Sequence, residues 1–128
     1  MEKYQLELLS FEIRKVLFER STMEKSFNFE TNVKFGIKNI SKTETNEVFS
    51  TAFIVELKNS TIPQSPSIQV EAVGFFEIHG NPPKEVIENY KNISSPTIVY
   101  PYIRAFISNL TTSSGLNSVI LPTIAFAG

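Results

Sequence analysis

Phe27-Asn28-Phe29-Glu30-Thr31-Asn32-Val33-Lys34-Phe35-Gly36-Ile37-Lys38 alternates apolar and polar residues with a period of two. Phe27, Phe29, Thr31, Val33, Phe35 and Ile37 fall on one side, and Asn28, Glu30, Asn32, Lys34 and Lys38 on the other. An extended chain puts alternate residues on opposite faces, so the stretch predicts a half-buried antiparallel strand over 27–40. The pattern recurs downstream. Glu47 to Lys58 places Phe49, Thr51, Phe53, Val55 and Leu57 on one face. Ile68 to Ile78 places Ile68, Val70, Ala72, Phe76 and Ile78 on one face, and Gln69, Glu71, Val73, Phe75 and Glu77 on the other. Val73 and Phe75 are apolar on a face that is otherwise polar. The polar run Ser41–Asn46 and the proline-bearing run Asn59–Pro66 read as connections.

Residues 1–20 leave two readings open. Leu6, Leu9, Ile13 and Leu17 fit a helical stripe. Phe11 and Ile13, then Val16 and Phe18, fit a strand with a one-residue slip near Arg14-Lys15. Beyond Gly80-Asn81-Pro82-Pro83 the period changes. Lys84 to Asn92 reads as a short helix, and Ser94-Ser95-Pro96 as a cap followed by a helix-starting proline. Ile98/Val99, Tyr102/Ile103, Phe106/Ile107 and Leu110 then form a broad apolar stripe. Pro101 inside it predicts a kink or a true first turn, and Gly115 a C-terminal cap. An extended apolar tail follows, from Val119 to Phe126. Strands first and helices last give an α+β class, an antiparallel sheet of about four strands followed by a long C-terminal helix, in one domain of 128 residues.

The composition excludes much chemistry. There is no cysteine, hence no disulfide, thiol nucleophile or zinc knuckle. All 13 acidic residues are glutamate and there is one histidine, so a Ser-His-Asp triad and multi-histidine metal sites are excluded. The five glycines form no phosphate-binding loop. The reading is therefore not an enzyme, with no cofactor and no metal. A net charge of -1 argues against a nucleic-acid partner. The absence of a long apolar run argues against membrane insertion, and the absence of a signal-like start predicts a cytoplasmic chain in which the four Asn-x-Ser/Thr sequons are chance. His79 reads as an ordinary strand-end histidine. Glu71 and Glu77 share a strand face six residues apart, roughly 20 Å at strand rise, too far for paired acid–base work. They read as a solvated face or, more sharply, an acidic partner patch.

Aromatic residues are the informative excess: 11 Phe and four Tyr without a Trp. A stripe as broad as that of the long helix must meet two surfaces, a second copy of the chain or an exposed groove for apolar ligands and unfolded segments.

Tyr100-Pro101-Tyr102-Ile103-Arg104, Ile107-Ser108, Gly115 and Leu121-Pro122 through Phe126 resemble the SecB export chaperones. Gly74-Phe75-Phe76-Glu77-Ile78 resembles that family's last strand, Phe29 with Val33-Lys34 its second, and Phe11-Glu12-Ile13-Arg14-Lys15-Val16 its first, which turns the N-terminal segment toward strand. The resemblance spans residues 11–126. It implies a four-stranded antiparallel sheet backed by a long helix, a dimer or tetramer, and an ATP-independent holdase for unfolded preproteins that passes them to the SecA motor. Three departures stand out. The family runs on into a further helix and an acidic tail where this chain stops at Gly128. Its acidic positions after strand one and in the last strand fall here on Arg20 and Gln69, with Glu24 and Glu71 nearby. A SecB-like chaperone dedicated to one client, such as an antitoxin, is the alternative within the class; a small-molecule or lipid-binding module is the alternative outside it. The client-binding expectation names Phe29, Phe75, Phe76, Tyr100, Tyr102, Val119 and Leu121. The partner-docking expectation names Glu24, Glu71 and Glu77. The oligomer interface expectation names Val99, Ile103, Phe106, Ile107 and Leu110.

Overall fold

The computed structural model describes residues 4–19, 29–59, 66–115 and 118–126. Four strands of 14 residues, β1 (Gln5–Phe18), β2 (Phe29–Lys42), β3 (Asn46–Asn59) and β4 (Pro66–His79), form one antiparallel sheet in the order β1-β4-β3-β2. The inward alternation is as predicted. Phe49, Thr51, Phe53, Val55 and Leu57 of β3 and Ile68, Val70, Ala72, Phe76 and Ile78 of β4 are all buried. β3 and β4 are central. β1 and β2, consecutive in the chain, lie at opposite edges, and their inward residues Leu6, Leu8, Phe11, Ile13, Val33 and Ile37 are only half-buried.

The N-terminal segment is a strand. Its register against β4 slips between Ile13 and Lys15, where the sequence predicts it. The extra residue lets Ile13 and Val16, three apart, both face inward opposite Ala72 and Val70. A second slip, between Leu8 and Ser10, has no sequence signal and leaves Leu9 exposed.

After Gly80, whose φ of 87° turns the chain, α1 (Lys84–Asn89), a π-helical turn (Tyr90–Ser94) and α2 (Ser95–Ser113) follow one another without a break. Ser94 has helical dihedrals and caps nothing, contrary to the expected helix start. Pro96 has no N–H to give to the preceding turn, and the wider π turn sits directly upstream of it. Pro101 lies exposed inside α2 and neither starts nor ends it, because burial of Val99, Tyr100 and Ile103 holds both sides of it against the sheet. Gly115 closes α2 with a left-handed φ of 81°, as expected.

α2 packs over β3 and β4. Gly74 permits the close approach: a β-carbon there would lie 2.6 Å from Val99 Cγ2. One buried polar tie crosses the interface. Ser95 Oγ donates to the Lys91 carbonyl, so its lone pair accepts from Thr51 Oγ1 at 2.6 Å. A second tie is the Lys91 ammonium, which donates to Glu47 and to Asn39 Oδ1 (2.8 Å) and pins the helical rod to the β2–β3 hairpin.

Packing corrects part of the interface expectation. Val99, Ile103 and Ile107 are wholly buried within one protomer, against the sheet, and present nothing to a second copy. Val99, Ile103 and Ile107 are spaced four apart and so share one helix face, and that face is the one laid on the sheet. Phe106 and Leu110 are half-buried; Ile98 and Tyr102 are exposed.

Candidate functional site

α2 covers the centre of the sheet and leaves the inward apolar residues of both edge strands only partly covered, an apolar strip, or trough, along each flank. On the β1 flank, half-buried Leu6, Leu8, Phe11 and Ile13 lie below exposed Ile98 and Tyr102. The Tyr102 ring stacks on Phe11 with centroids 5.3 Å apart. On the β2 flank, Phe29, Val33 and Ile37 are half-buried and Phe35 is 39% exposed at the rim. The extended segment 118–126 runs back along α2 over this second trough.

That segment is held in two ways. Its main chain meets helix side chains: the Val119 N–H donates to Thr111 Oγ1 (3.0 Å), Arg104 Nε donates to the Leu121 carbonyl (3.2 Å), and Tyr100 Oη donates to the Pro122 carbonyl (2.7 Å). Its side chains meet carbon, apart from Ser118, whose hydroxyl lies 2.6 Å from Ser108 Oγ. Leu121 is 1% exposed, and Phe126 sits edge-on to three rings: Phe35 at 5.4 Å, Phe53 at 6.0 Å and Tyr100 at 5.9 Å. Edge-to-face geometry is what ring quadrupoles prefer. Burial pushes the Tyr100 phenol above its ordinary range, and the nearby Arg104 guanidinium offsets part of that rise. The phenol therefore remains a donor at neutral pH. The arrangement can hold an extended polypeptide: donors and an acceptor for its main chain, and an apolar floor for its side chains.

Among the described residues no helix packs on the opposite face of the sheet, the open face, which carries mixed charge. Glu71 is 3.7 Å from Lys15 Nζ. Glu77 accepts from Asn46 Nδ2 at 2.7 Å and lies 3.5 Å from His79, which also bonds Glu7 at 2.7 Å. The Arg14 guanidinium lies over the Phe75 ring at 5.6 Å.

The expected residues are thus divided. Tyr100, Val119, Leu121 and half-buried Phe29 gather at the β2-flank trough. Tyr102 lies toward the β1 flank. Phe75 is on the open face, behind the sheet from both troughs, because odd positions of β4 point away from α2. Phe76 is fully buried, its ring stacked on Phe49 at 5.3 Å, and cannot touch a client; this corrects its assignment. Glu71 and Glu77 share the open face, and Glu24 lies outside the described residues. Phe35, Phe53, Phe126, Thr111 and Arg104 were not among the expected site residues. Phe35 and Phe53 share the inward alternation of their strands, but only the β2–β3 register sets them opposite each other.

The family model described as preprotein translocase subunit SecB matches residues 1–128. The chain belongs to the SecB family. SecB proteins are chaperones and not enzymes, and the sheet and long helix are the SecB-like fold expected from the sequence. Relatives include the protein-export protein SecB of Nitrosomonas europaea, 29% identical over 129 residues that cover 98% of this chain and 76% of that one. An uncharacterized protein of Methanocaldococcus jannaschii, MJ0357, is 28% identical over 126 residues, 98% of this chain and 77% of its own. Among solved structures, the fold is similar to that of the Mycobacterium tuberculosis Rv1957 SecB-like chaperone in complex with a ChAD peptide from the Rv1956 HigA1 antitoxin. The TM-score is 0.67 at 14% identity, over 93% of this chain and 90% of that one. Among the described residues no helix is long and apolar enough to cross a membrane.

Proposed function

We propose that this SecB-family chain is an ATP-independent holdase that grips extended, non-native polypeptide in the apolar troughs beside α2. The observation that carries the reading is how the β2-flank trough holds segment 118–126: Tyr100, Arg104 and Thr111 bond only main-chain groups, which every polypeptide has. Rings take the side chains without requiring a particular sequence. Several such troughs on one oligomer add avidity to weak sites. Self-association follows the family; exposed Ile98 and Tyr102 and the free edge of β1 are the surfaces that support it here.

Export-bound preproteins are the client class suggested by the family, with SecA as the receiving motor. A client dedicated to this chaperone, of the antitoxin kind, is the second reading, and the open face favours it. Glu71 and Glu77, the acids expected to dock a motor, are engaged by Lys15, Asn46 and His79. Light scattering of a denatured client, without nucleotide, tests the holdase. Suppression at stoichiometric amounts is expected, and unchanged scattering refutes it. A pull-down separates the two client readings: retention of SecA supports export, and retention of one small antitoxin-like protein supports the dedicated client.

A further inference from the structure

We infer that Phe126 is a displaceable latch on the client trough: it fills the ring cage of Phe35, Phe53 and Tyr100 in the unloaded chain, and client binding requires it to leave. The inference rests on the holdase reading and adds a regulatory element to it.

The two halves of segment 118–126 are held unequally. Up to Pro122 the segment is fixed. Val119, Leu121 and Pro122 each make a main-chain hydrogen bond to α2, and Leu121 is 1% exposed. Beyond Pro122, no hydrogen bond is made by the described residues. Thr123 and Ala125 are exposed, and Ile124 and Phe126 half-buried. What holds the far end is carbon contact, chiefly the three edge-on rings around Phe126. Such contacts are individually weak and exchange readily for equivalent ones.

The cage is also where a client would gain most. Phe35 is 39% exposed, so the cage opens to solvent at the β2 edge. Phe35 and Phe53 are stacked at 5.4 Å and stay in place without Phe126, because Phe53 is buried in the core. Phe126 and an incoming aromatic side chain therefore compete for one volume. The tethered ring wins against a poor ligand, and an extended client that also lies along half-buried Val33 and Ile37 of the β2 edge displaces it. A latch closed nine-tenths of the time lowers the apparent client affinity about tenfold, equal to about 1.4 kcal/mol.

The test uses the full chain and a permanently unfolded probe, reduced and carboxymethylated ribonuclease A. Phe126→Ala removes the competitor and is expected to bind the probe up to about tenfold tighter than the parent. Unchanged or weaker binding overturns the inference, because Phe126 is then a fixed wall of the site. A second reporter does not depend on the truncation. The chain has no tryptophan, so Phe126→Trp places one fluorophore in the cage. Its emission is expected to shift to the red when the probe binds, as the indole moves into water; an unshifted or blue-shifted emission overturns the latch. A parent chain that binds probe while both variants give the contrary results loses the latch alone. A parent that does not bind at all loses the holdase reading and the latch with it.

Discussion

Gly74→Ala tests how α2 is set on the sheet. The new methyl carbon would lie 2.6 Å from Val99 Cγ2 and 3.2 Å from Phe76 Cε2. Unbonded carbons sit about 3.5–4.0 Å apart, so the overlap with Val99 is about 1 Å. Neither neighbour has room to swing aside, since both are fully buried. Over-packing of this kind costs about 1–3 kcal/mol. Removing a glycine from a strand interior returns about 0.5–1 kcal/mol. The net expectation is a loss of about 1–2 kcal/mol, read as a lower urea midpoint with an unchanged slope at fixed protein concentration. The companion variant Val99→Ala removes two methylene-sized groups, about 1.6 kcal/mol before any cavity cost. In the double variant the methyl at position 74 occupies space that Val99 vacates. The two costs should then fall short of their sum by about 1 kcal/mol or more. A Gly74→Ala protein as stable as the parent, or costs that simply add, would refute the close-approach argument.

Tyr100→Phe reports on the buried phenol. Its folded pKa is raised, so the fold favours the protonated form. That stabilisation is complete below the ordinary tyrosine value of 10.0 and is lost as pH rises through the higher folded value. The stability gap between parent and variant should narrow above pH 10; equal gaps at pH 8 and pH 10.5 would contradict it. Among the described residues, Lys91→Met leaves Glu47 facing only the more distant Lys42, 3.9 Å away, and should cost about 2–4 kcal/mol, whereas adding Glu47→Leu should recover part of that loss. Urea midpoints of the three proteins decide it, and a double variant worse than the single would rule it out. Phe75→Glu should now leave both the fold and client affinity nearly unchanged, because Phe75 is half-buried on the face opposite both troughs. Loss of probe binding with the fold intact would move the client site to the open face.

The alternation of β2, β3 and β4 was legible because period two survives any choice of partners: Phe49 and Ile78 point inward whichever strands flank them. Strand order was not, since nothing local to Phe11 or Phe35 says which strand lies beside it, and β1 pairs with β4 rather than with its chain neighbour. The slip at Ile13/Lys15 could be read because it breaks an apolar pattern; the slip at Leu8/Ser10 could not, because Leu8 and Leu9 are both apolar and either could face inward. On α2, the breadth of the stripe was visible but its division was not. Ile98 and Val99 are equally apolar in sequence, and only the sheet's position buries one and exposes the other. Tyr100, Val119 and Leu121, named from the sequence, all lie at the β2-flank trough. The ring cage needed the β2–β3 register and the return of Phe126 to the sheet, both long-range. Phe75 was named for the reverse reason, as an apolar residue on a wet face; the structure puts it on the open face with the Arg14 guanidinium over its ring.

The most direct test of the account is calorimetric titration of the full chain, without nucleotide, with carboxymethylated ribonuclease A and with the same protein native. Saturable binding of the unfolded form with a negative heat-capacity change, the mark of apolar burial, is expected, with no binding of the native form. Equal binding of both forms, or none of either, would contradict it.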